Sequence, residues 1–191
     1  MNKGRLEAFS DGVFAVIITV MVLEMKVPQG ASLDALVPVL PVFLVYLLSF
    51  VNVGIYWNNH HHMLHAVERV DGRALWANLH LLFWLSLMPF TTGWMGENHF
   101  AALPTAIYGV VLLMAGCAYT LLQMALVAAD AGRKTLSRAL GRDLKGKLSV
   151  AAYSCAVPLA FVNQWIADAL YVAVALMWIV PDRRIEKVLA A

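Results

Sequence analysis

Long apolar stretches recur along almost the whole chain, and they constrain its fold more than any other feature. A helix needs about 20 mostly apolar residues to cross a bilayer. Six stretches approach that length, at residues 6–25, 36–56, 75–95, 103–129, 148–164 and 166–180. The last two are short and are separated only by Asn163, Gln164 and Trp165, so one long, broken span is the alternative there. The pattern predicts an all-α integral membrane protein with six transmembrane helices in a single domain over residues 1–191.

The composition excludes most other classes of protein. Of the 191 residues, 61% are hydrophobic and only 14% are charged, whereas soluble domains carry about 25% charged residues. A soluble domain of this size has too little interior to bury so much apolar surface. The formal net charge of +2 is too small to track a phosphate backbone, so no nucleic-acid partner is expected.

The distribution of basic residues predicts the orientation in the membrane. Lys and Arg are concentrated in the cytoplasmic segments of membrane proteins. With six spans and the N-terminus inside, all of the 14 Lys and Arg residues except Lys26 fall on the inner side. This asymmetry predicts that both termini are cytoplasmic. The basic loop at residues 133–147 is expected to lie on anionic lipid of the inner leaflet, with an ordinary exposed loop as the alternative.

The first apolar stretch combines an apolar stripe with polar side chains. At about 100° per residue, one helical face collects mainly small and branched residues, namely Arg5, Phe9, Gly12, Val16, Thr19, Val20 and Leu23. Ser10 and Asp11 point away from this face and need partners on neighbouring helices, because lipid offers none. Plain helix packing and an ion path both remain open as interpretations of the stripe.

Two further polar clusters fall at the same predicted membrane depth as Asp11. The first is the segment YWNNHHHMLH at residues 56–65, in which His61 and His65 have the i, i+4 spacing of a metal pair but lack an obvious further ligand set. The second contains Asn78, early in the third stretch. Polar groups at one depth on three helices predict a single interhelical hydrogen-bond network. No structural metal or cofactor is expected.

The first three stretches carry motifs that resemble those of a known family. The motifs are Arg5-x-x-x-Phe9-Ser10-Asp11, then Tyr56-Trp57-x-x-His60-His61, then Trp76-x-Asn78-Leu79 followed by Pro89-Phe90. They are similar to the motifs of the bacterial branch of the transmembrane protein 175 family, potassium channels of the lysosomal type with the RxxxFSD signature. The resemblance covers nearly the whole chain and implies the inner membrane of a bacterial cell. Pro89 is also expected to kink the third helix.

The resemblance implies a homotetramer in which the first helices of four subunits line a central pore. It implies a hydrophobic constriction at Val16, Val20 and Leu23 and a polar ring at Thr19, with permeant potassium close to Val16 and Thr19. The residues predicted to pack and position the pore helix are Arg5, Phe9, Ser10, Asp11, Trp57, His60, His61 and Asn78. The family usually has Ile or Leu where this chain has Val16, so a slightly wider constriction is expected.

These features together predict a potassium-permeable cation channel and not an enzyme. The chain contains no TVGYG-like segment, so the hydrophobic constriction takes the place of a carbonyl selectivity filter. No carboxylate lies on the stripe, and the preference for potassium over sodium is therefore expected to be weak. A secondary transporter and a proton-conducting membrane protein are the alternatives.

Overall fold

The computed structural model describes residues 3–129 and 143–179, and every regular element within these residues is helical. In chain order the elements are α1 (Lys3–Leu23), a 3-10 helix (Leu33–Val39), α2 (Leu40–His65), α3 (Gly72–Ser86), α4 (Met88–Glu97), α5 (Ala102–Ala129), α6 (Leu144–Leu159) and α7 (Gln164–Ile179). The predicted all-α class is therefore confirmed over the part of the chain that the structure describes.

Four segments are long and apolar enough to cross a bilayer. They are Lys3–Leu23, Leu33–His65, Gly72–Glu97 and Ala102–Ala129, and each overlaps one of the first four predicted spans. The helix α7 is also apolar but has only 16 residues. The protein is thus a helical membrane protein, while the total of six spans stays a prediction.

The third of these segments is interrupted in the middle. α3 ends at Ser86 and α4 begins at Met88, with Leu87 between them. Pro89 lies in the first turn of α4, where a missing backbone N–H is tolerated because that group has no partner within its own helix. A proline at this position cannot donate to a carbonyl of the preceding turn, so the chain stops one helix and starts another. The kink predicted at Pro89 is confirmed, as a break between two helices.

The second helix differs from its predicted bounds of 36–56 at both ends. Residues Leu33–Val39 form a 3-10 helix, and α2 begins only at Leu40. At the other end α2 continues to His65. The apolar pattern stops near Tyr56, but residues 57–65 contain neither Gly nor Pro, and each added residue of an existing helix gains one backbone hydrogen bond. The prediction from side-chain polarity therefore placed the end of this helix nine residues too early.

The helices α6 and α7 form an antiparallel pair joined by a turn over residues 160–163. Trp178 Nε1, near the end of α7, donates to Ser149 Oγ, near the start of α6, at 2.8 Å. Lys145 Nζ donates to the carbonyl of Met177 at 3.1 Å. Because these contacts join the beginning of one helix to the end of the other, the two helices fold back on each other. The alternative of one long, broken span is wrong.

The helix α5 lies at the centre of the bundle and α1 at one edge. α5 packs against α3, α4, α6 and α7, and its Tyr108, Leu112 and Leu122 are fully buried. α1 packs mainly against α2, α3 and α4. This edge position leaves one side of α1 without a neighbour among the other helices that the structure describes. Of the predicted lipid-binding loop, residues 133–142 lie outside the described residues.

Candidate functional site

One face of α1 holds the helix against the rest of the subunit. Its buried side chains recur every three or four residues, at Leu6, Ser10, Phe14, Ile17 and Met21. This is the spacing of a single helical face. Phe14 packs edge-to-face on the ring of His60 in α2, with the ring centroids 5.6 Å apart. The buried face therefore fixes both the position of α1 and its rotation about its own axis.

The opposite face of α1 is not covered by any other part of residues 3–129 and 143–179. Val16 is 60% exposed and Leu23 is 76% exposed, and Thr19 and Val20 are exposed beside them. These are the four residues predicted for the constriction and the polar ring. In a bilayer an apolar face of this kind is covered either by lipid or by another protein surface. Their place in a pore stays a prediction.

The hydroxyl of Thr19 is oriented by its own helix. Thr19 Oγ1 donates to the carbonyl of Ala15, one turn earlier, at 2.8 Å. A threonine hydroxyl has one hydrogen and two acceptor lone pairs. Since the hydrogen is used within the helix, the lone pairs of Oγ1 are available on the uncovered face. An oxygen presented in this way can accept contact from a cation or from water.

The uncovered stripe forms one wall of an open cleft of about 650 Å³. The facing wall comes from the break between α3 and α4, with Ser86, Pro89 and Phe90. Val16 and Val20 line the α1 side, and Glu24 also lines the cleft. The break at Leu87 therefore helps to shape the surface beside the stripe.

Three predicted positioning residues form a buried hydrogen-bonded chain, which we call the Asn78 chain. Asn78 Nδ2 in α3 donates to Ser10 Oγ in α1 at 3.0 Å, and Ser10 Oγ donates to the carbonyl of Leu6 at 2.8 Å. His60 Nε2 in α2 lies 2.7 Å from Asn78 Oδ1. An amide oxygen only accepts, so Nε2 of His60 carries a hydrogen. The chain ties the N-terminal half of α1 to two neighbouring helices.

Two further predicted positioning residues contact each other apart from that chain, on the exposed surface. Trp57 Nε1 in α2 donates to Asp11 Oδ1 in α1 at 2.9 Å. The ring of His61 stacks on Trp57 with centroids 6.2 Å apart, and His61 stacks in turn on His65 at 6.0 Å. Polar groups of three helices do meet near one level, but they form two separate sets in this structure.

The remaining positioning residues and the candidate metal pair are also placed. Arg5 and Phe9 are exposed on the uncovered face of α1, and the structure does not bring them to the Asn78 chain. His61 and His65 are adjacent through ring stacking. Among residues 3–129 and 143–179, no group of three His, Cys, Asp or Glu side chains is arranged to hold a metal ion.

A set of buried hydroxyls behind the C-terminal half of α1 was missed by the sequence analysis. Ser49 in α2, Thr92 in α4 and Tyr108 in α5 are all buried and are linked by short oxygen–oxygen contacts. The available signal was the cost of a hydroxyl inside an apolar span. That signal marks single residues but does not tell which helices bring them together.

The fold defines a polytopic helical membrane protein, and the uncovered stripe of α1 is among its exposed apolar surfaces. A family model described as "Endosomal/lysosomal potassium channel TMEM175" matches residues 5–89, which include the whole RxxxFSD signature. The chain is 52% identical to a potassium channel of Chryseobacterium sp. (strain P1-3), over 98% of this chain and 97% of the relative. It is 30% identical to a potassium channel of Chamaesiphon minutus, over 87% of this chain and 88% of that relative.

A solved structure agrees with these relatives. The crystal structure of a lysosomal potassium-selective channel TMEM175 homolog from Chamaesiphon minutus superimposes with a TM-score of 0.82. Its sequence is 28% identical, and the match covers 94% of this chain and 97% of that chain. The chain therefore belongs to the TMEM175 family, which is a family of ion channels and not of enzymes. The resemblance drawn from the motifs of the first three stretches is confirmed.

Proposed function

We propose that this chain is one subunit of a homotetrameric potassium channel in which α1 helices of four copies line the pore. The observation that carries the proposal is the uncovered stripe of α1, on which Val16 is 60% exposed and Leu23 is 76% exposed. No other helix of the described residues covers this stripe, and four stripes facing a common axis form a tube. The potassium channels among the relatives support the choice of ion.

The proposed mechanism rests on the side chains of the stripe. Rings of Val16, Val20 and Leu23 exclude water when they are narrow and admit a partly hydrated cation when they are slightly wider, which is gating by dewetting. Thr19 lies between these apolar rings with its oxygen lone pairs available. A ring of four hydroxyl oxygens replaces a part of the ion's hydration shell. Neutral oxygens at one level give a weak preference for potassium over sodium.

The polar contacts around α1 have a positioning role in this proposal. The Asn78 chain holds the N-terminal half of α1, and the Trp57–Asp11 hydrogen bond holds the same half from the side of α2. Arg5, Phe9 and His61 complete the predicted positioning set. The ions pass the stripe, and these residues set how far the stripe lies from the pore axis.

The proposed setting is the inner membrane of a bacterial cell, with six spans in one domain and both termini in the cytoplasm. The basic residues predict this orientation. In the same orientation the basic segment at residues 133–147, whose last residues begin α6, is expected at the anionic inner leaflet. The uninterrupted course of α1 from Lys3 to Leu23 favours a channel over a secondary transporter, since transporters often bind substrate on broken helices.

Ion flux through proteoliposomes tests the proposal. We expect the purified protein to conduct potassium in discrete single-channel steps and sodium less well. Val16→Ala widens the narrowest apolar ring and is expected to raise the conductance severalfold. The matched control is Val22→Ala, because Val22 is an exposed valine of the same helix that lies off the stripe.

Three results would contradict this picture at different points. Flux no greater than in empty liposomes removes the channel function. Equal effects of Val16→Ala and Val22→Ala move the constriction away from the stripe. A monomeric mass for active protein in detergent or nanodiscs removes the four-helix pore.

A further inference from the structure

A hydrogen-bonded set of hydroxyls lies behind the C-terminal half of α1, and we call it the hydroxyl chain. Tyr108 Oη of α5 is 3.0 Å from Ser49 Oγ of α2, and Ser49 Oγ is 2.7 Å from Thr92 Oγ1 of α4. All three side chains are buried. The residues are far apart in sequence and come together only where these three helices meet.

The hydroxyl chain ends on α1. Thr92 Oγ1 lies 3.9 Å from Met21 Sδ, the thioether of the last residue on the buried face of α1. A thioether is an acceptor only. Every hydroxyl donates once if Tyr108 donates to Ser49, Ser49 donates to Thr92 and Thr92 donates to the sulfur. In this arrangement every hydroxyl hydrogen of the set is used, and the last one points to the sulfur on α1.

The position of Met21 connects the chain to the stripe. Met21 is buried, whereas Val20 and Leu23 on the same helical turn are exposed. A shift of Met21 therefore moves the turn that carries Thr19, Val20 and Leu23. A buried hydroxyl in an apolar surrounding is costly without a partner, so losing one member of the chain forces the others to rearrange.

The packing of α4 makes this part of the bundle sensitive to small shifts. A Cβ atom added to Gly96 would lie 2.5 Å from the Cα atom of Val42 in α2. A Cβ atom added to Gly93 would lie 3.1 Å from a carboxylate oxygen of Glu24, just after α1. The helix α4 is therefore in close contact with α2 on one side and with the end of α1 on the other. Thr92 lies in the same turn as Gly93.

We propose that Ser49, Thr92 and Tyr108 are positioning residues for conduction, which hold Met21 and thereby set the radius of the Thr19–Leu23 part of the pore. The inference rests on the proposed function, because it needs the stripe to line the pore. α1 is then fixed at two depths by two different sets, through the Asn78 chain at Ser10 and through the hydroxyl chain at Met21. The ions contact neither set.

A pair of adjacent threonines tests the proposal. Thr92→Val removes the hydroxyl between Ser49 and Met21. Thr91→Val removes an equally buried hydroxyl that contacts the carbonyls of Leu87 and Met88 in its own helical segment, at 3.2 and 3.3 Å. We measure the K⁺/Na⁺ permeability ratio from the reversal potential and the single-channel conductance, in protein of confirmed oligomeric mass.

We expect Thr92→Val to change the permeability ratio by up to about threefold, the factor that corresponds to an interhelical hydrogen bond of average strength in a membrane protein. Thr91→Val is expected to keep the wild-type ratio. Thr92→Ser keeps the hydroxyl and is expected to restore the ratio, which a purely structural loss of packing would not predict.

Failure of this inference can be told apart from failure of the proposed pore. Suppose that Val16→Ala changes the conductance, while Thr92→Val and Thr91→Val have the same K⁺/Na⁺ permeability ratio as each other. The proposed pore is then kept and the positioning role is overturned. If Thr92→Val does not assemble, Met21→Leu replaces it, since this substitution nearly keeps the volume and removes the sulfur acceptor. A wild-type ratio in Met21→Leu overturns the proposal as well.

Discussion

The two faces of α1 differ in what holds each residue in place. Ile17 is 3% exposed and packs into the subunit, while its neighbour Val16 is 60% exposed on the face that the other described helices leave open. The two residues are both β-branched and differ by one methylene group. Their roles therefore come from their position on the helix, and the comparison predicts that substitutions on one face change stability while those on the other change conduction.

The largest expected effect is on the buried face. Phe14→Ala removes a buried ring that packs on His60 and leaves a cavity. We expect a loss of about 3 kcal/mol in the free energy of unfolding, at the low end for buried phenylalanine. The low end applies because a helix in a bilayer is surrounded by apolar lipid. Removal of the ring therefore costs packing contacts but no free energy of transfer out of water. Thermal unfolding of the detergent-solubilised protein measures it.

Phe9→Ala is the matched control for that measurement. Phe9 is a phenylalanine of the same helix, but it is 54% exposed on the uncovered face. Its substitution is expected to cost about 0.5 kcal/mol or less within the subunit. Equal losses for Phe9→Ala and Phe14→Ala would show that both faces of α1 contribute equally to the stability of the subunit.

A smaller effect is expected from the polar part of the buried face. Asn78→Leu removes the middle of the Asn78 chain, so that His60 Nε2 loses its acceptor and Ser10 Oγ loses its donor while it still donates to Leu6. We expect a loss of about 1–3 kcal/mol, the cost of unsatisfied buried polar groups. Asn59→Leu is the control, because the Asn59 amide donates to the carbonyl of Ile55 in its own helix at 2.9 Å. An equally large loss for Asn59→Leu would show that the interhelical hydrogen bonds of Asn78 add no more stability than a hydrogen bond within one helix.

Much of α1 could be predicted from the sequence because its information is periodic. A wheel of the first stretch separates Val16, Thr19 and Leu23 from Ser10 and Asp11 without knowledge of any other helix. The structure has the same separation, with the first three exposed and Ser10 buried. Hydropathy placed the first four spans for a similar reason, since it depends on residues that are contiguous in the chain.

The hydroxyl chain could not be predicted because its information lies in tertiary contacts. Ser49 and Thr92 are 43 residues apart, and Ser49 and Tyr108 are 59 apart. No local pattern tells that α2, α4 and α5 meet at this depth. The end of α2 was missed for a different reason, because backbone hydrogen bonds continue through residues 57–65 after the apolar pattern has ended.

The smallest expected effect belongs to the hydroxyl on the uncovered face. Thr19→Val keeps the shape of the side chain and removes only the oxygen. The Thr19 hydroxyl bonds within its own helix, so the free energy of unfolding is expected to stay within about 0.5 kcal/mol of the wild-type value. The K⁺/Na⁺ permeability ratio, measured from the reversal potential, is expected to fall towards one, because only apolar rings then face the ion.

Thr120 provides the control for this last substitution. Its Oγ1 donates to the carbonyl of Gly116 at 3.0 Å, the same one-turn hydrogen bond that Thr19 makes, but in α5 and away from the stripe. Thr120→Val therefore removes an equivalent hydroxyl and is expected to leave the permeability ratio unchanged. A fall in the ratio for both variants would mean that the hydroxyls act through helix geometry. A fall for Thr19→Val alone locates the weak selectivity on the uncovered face, where oxygen and ion can meet.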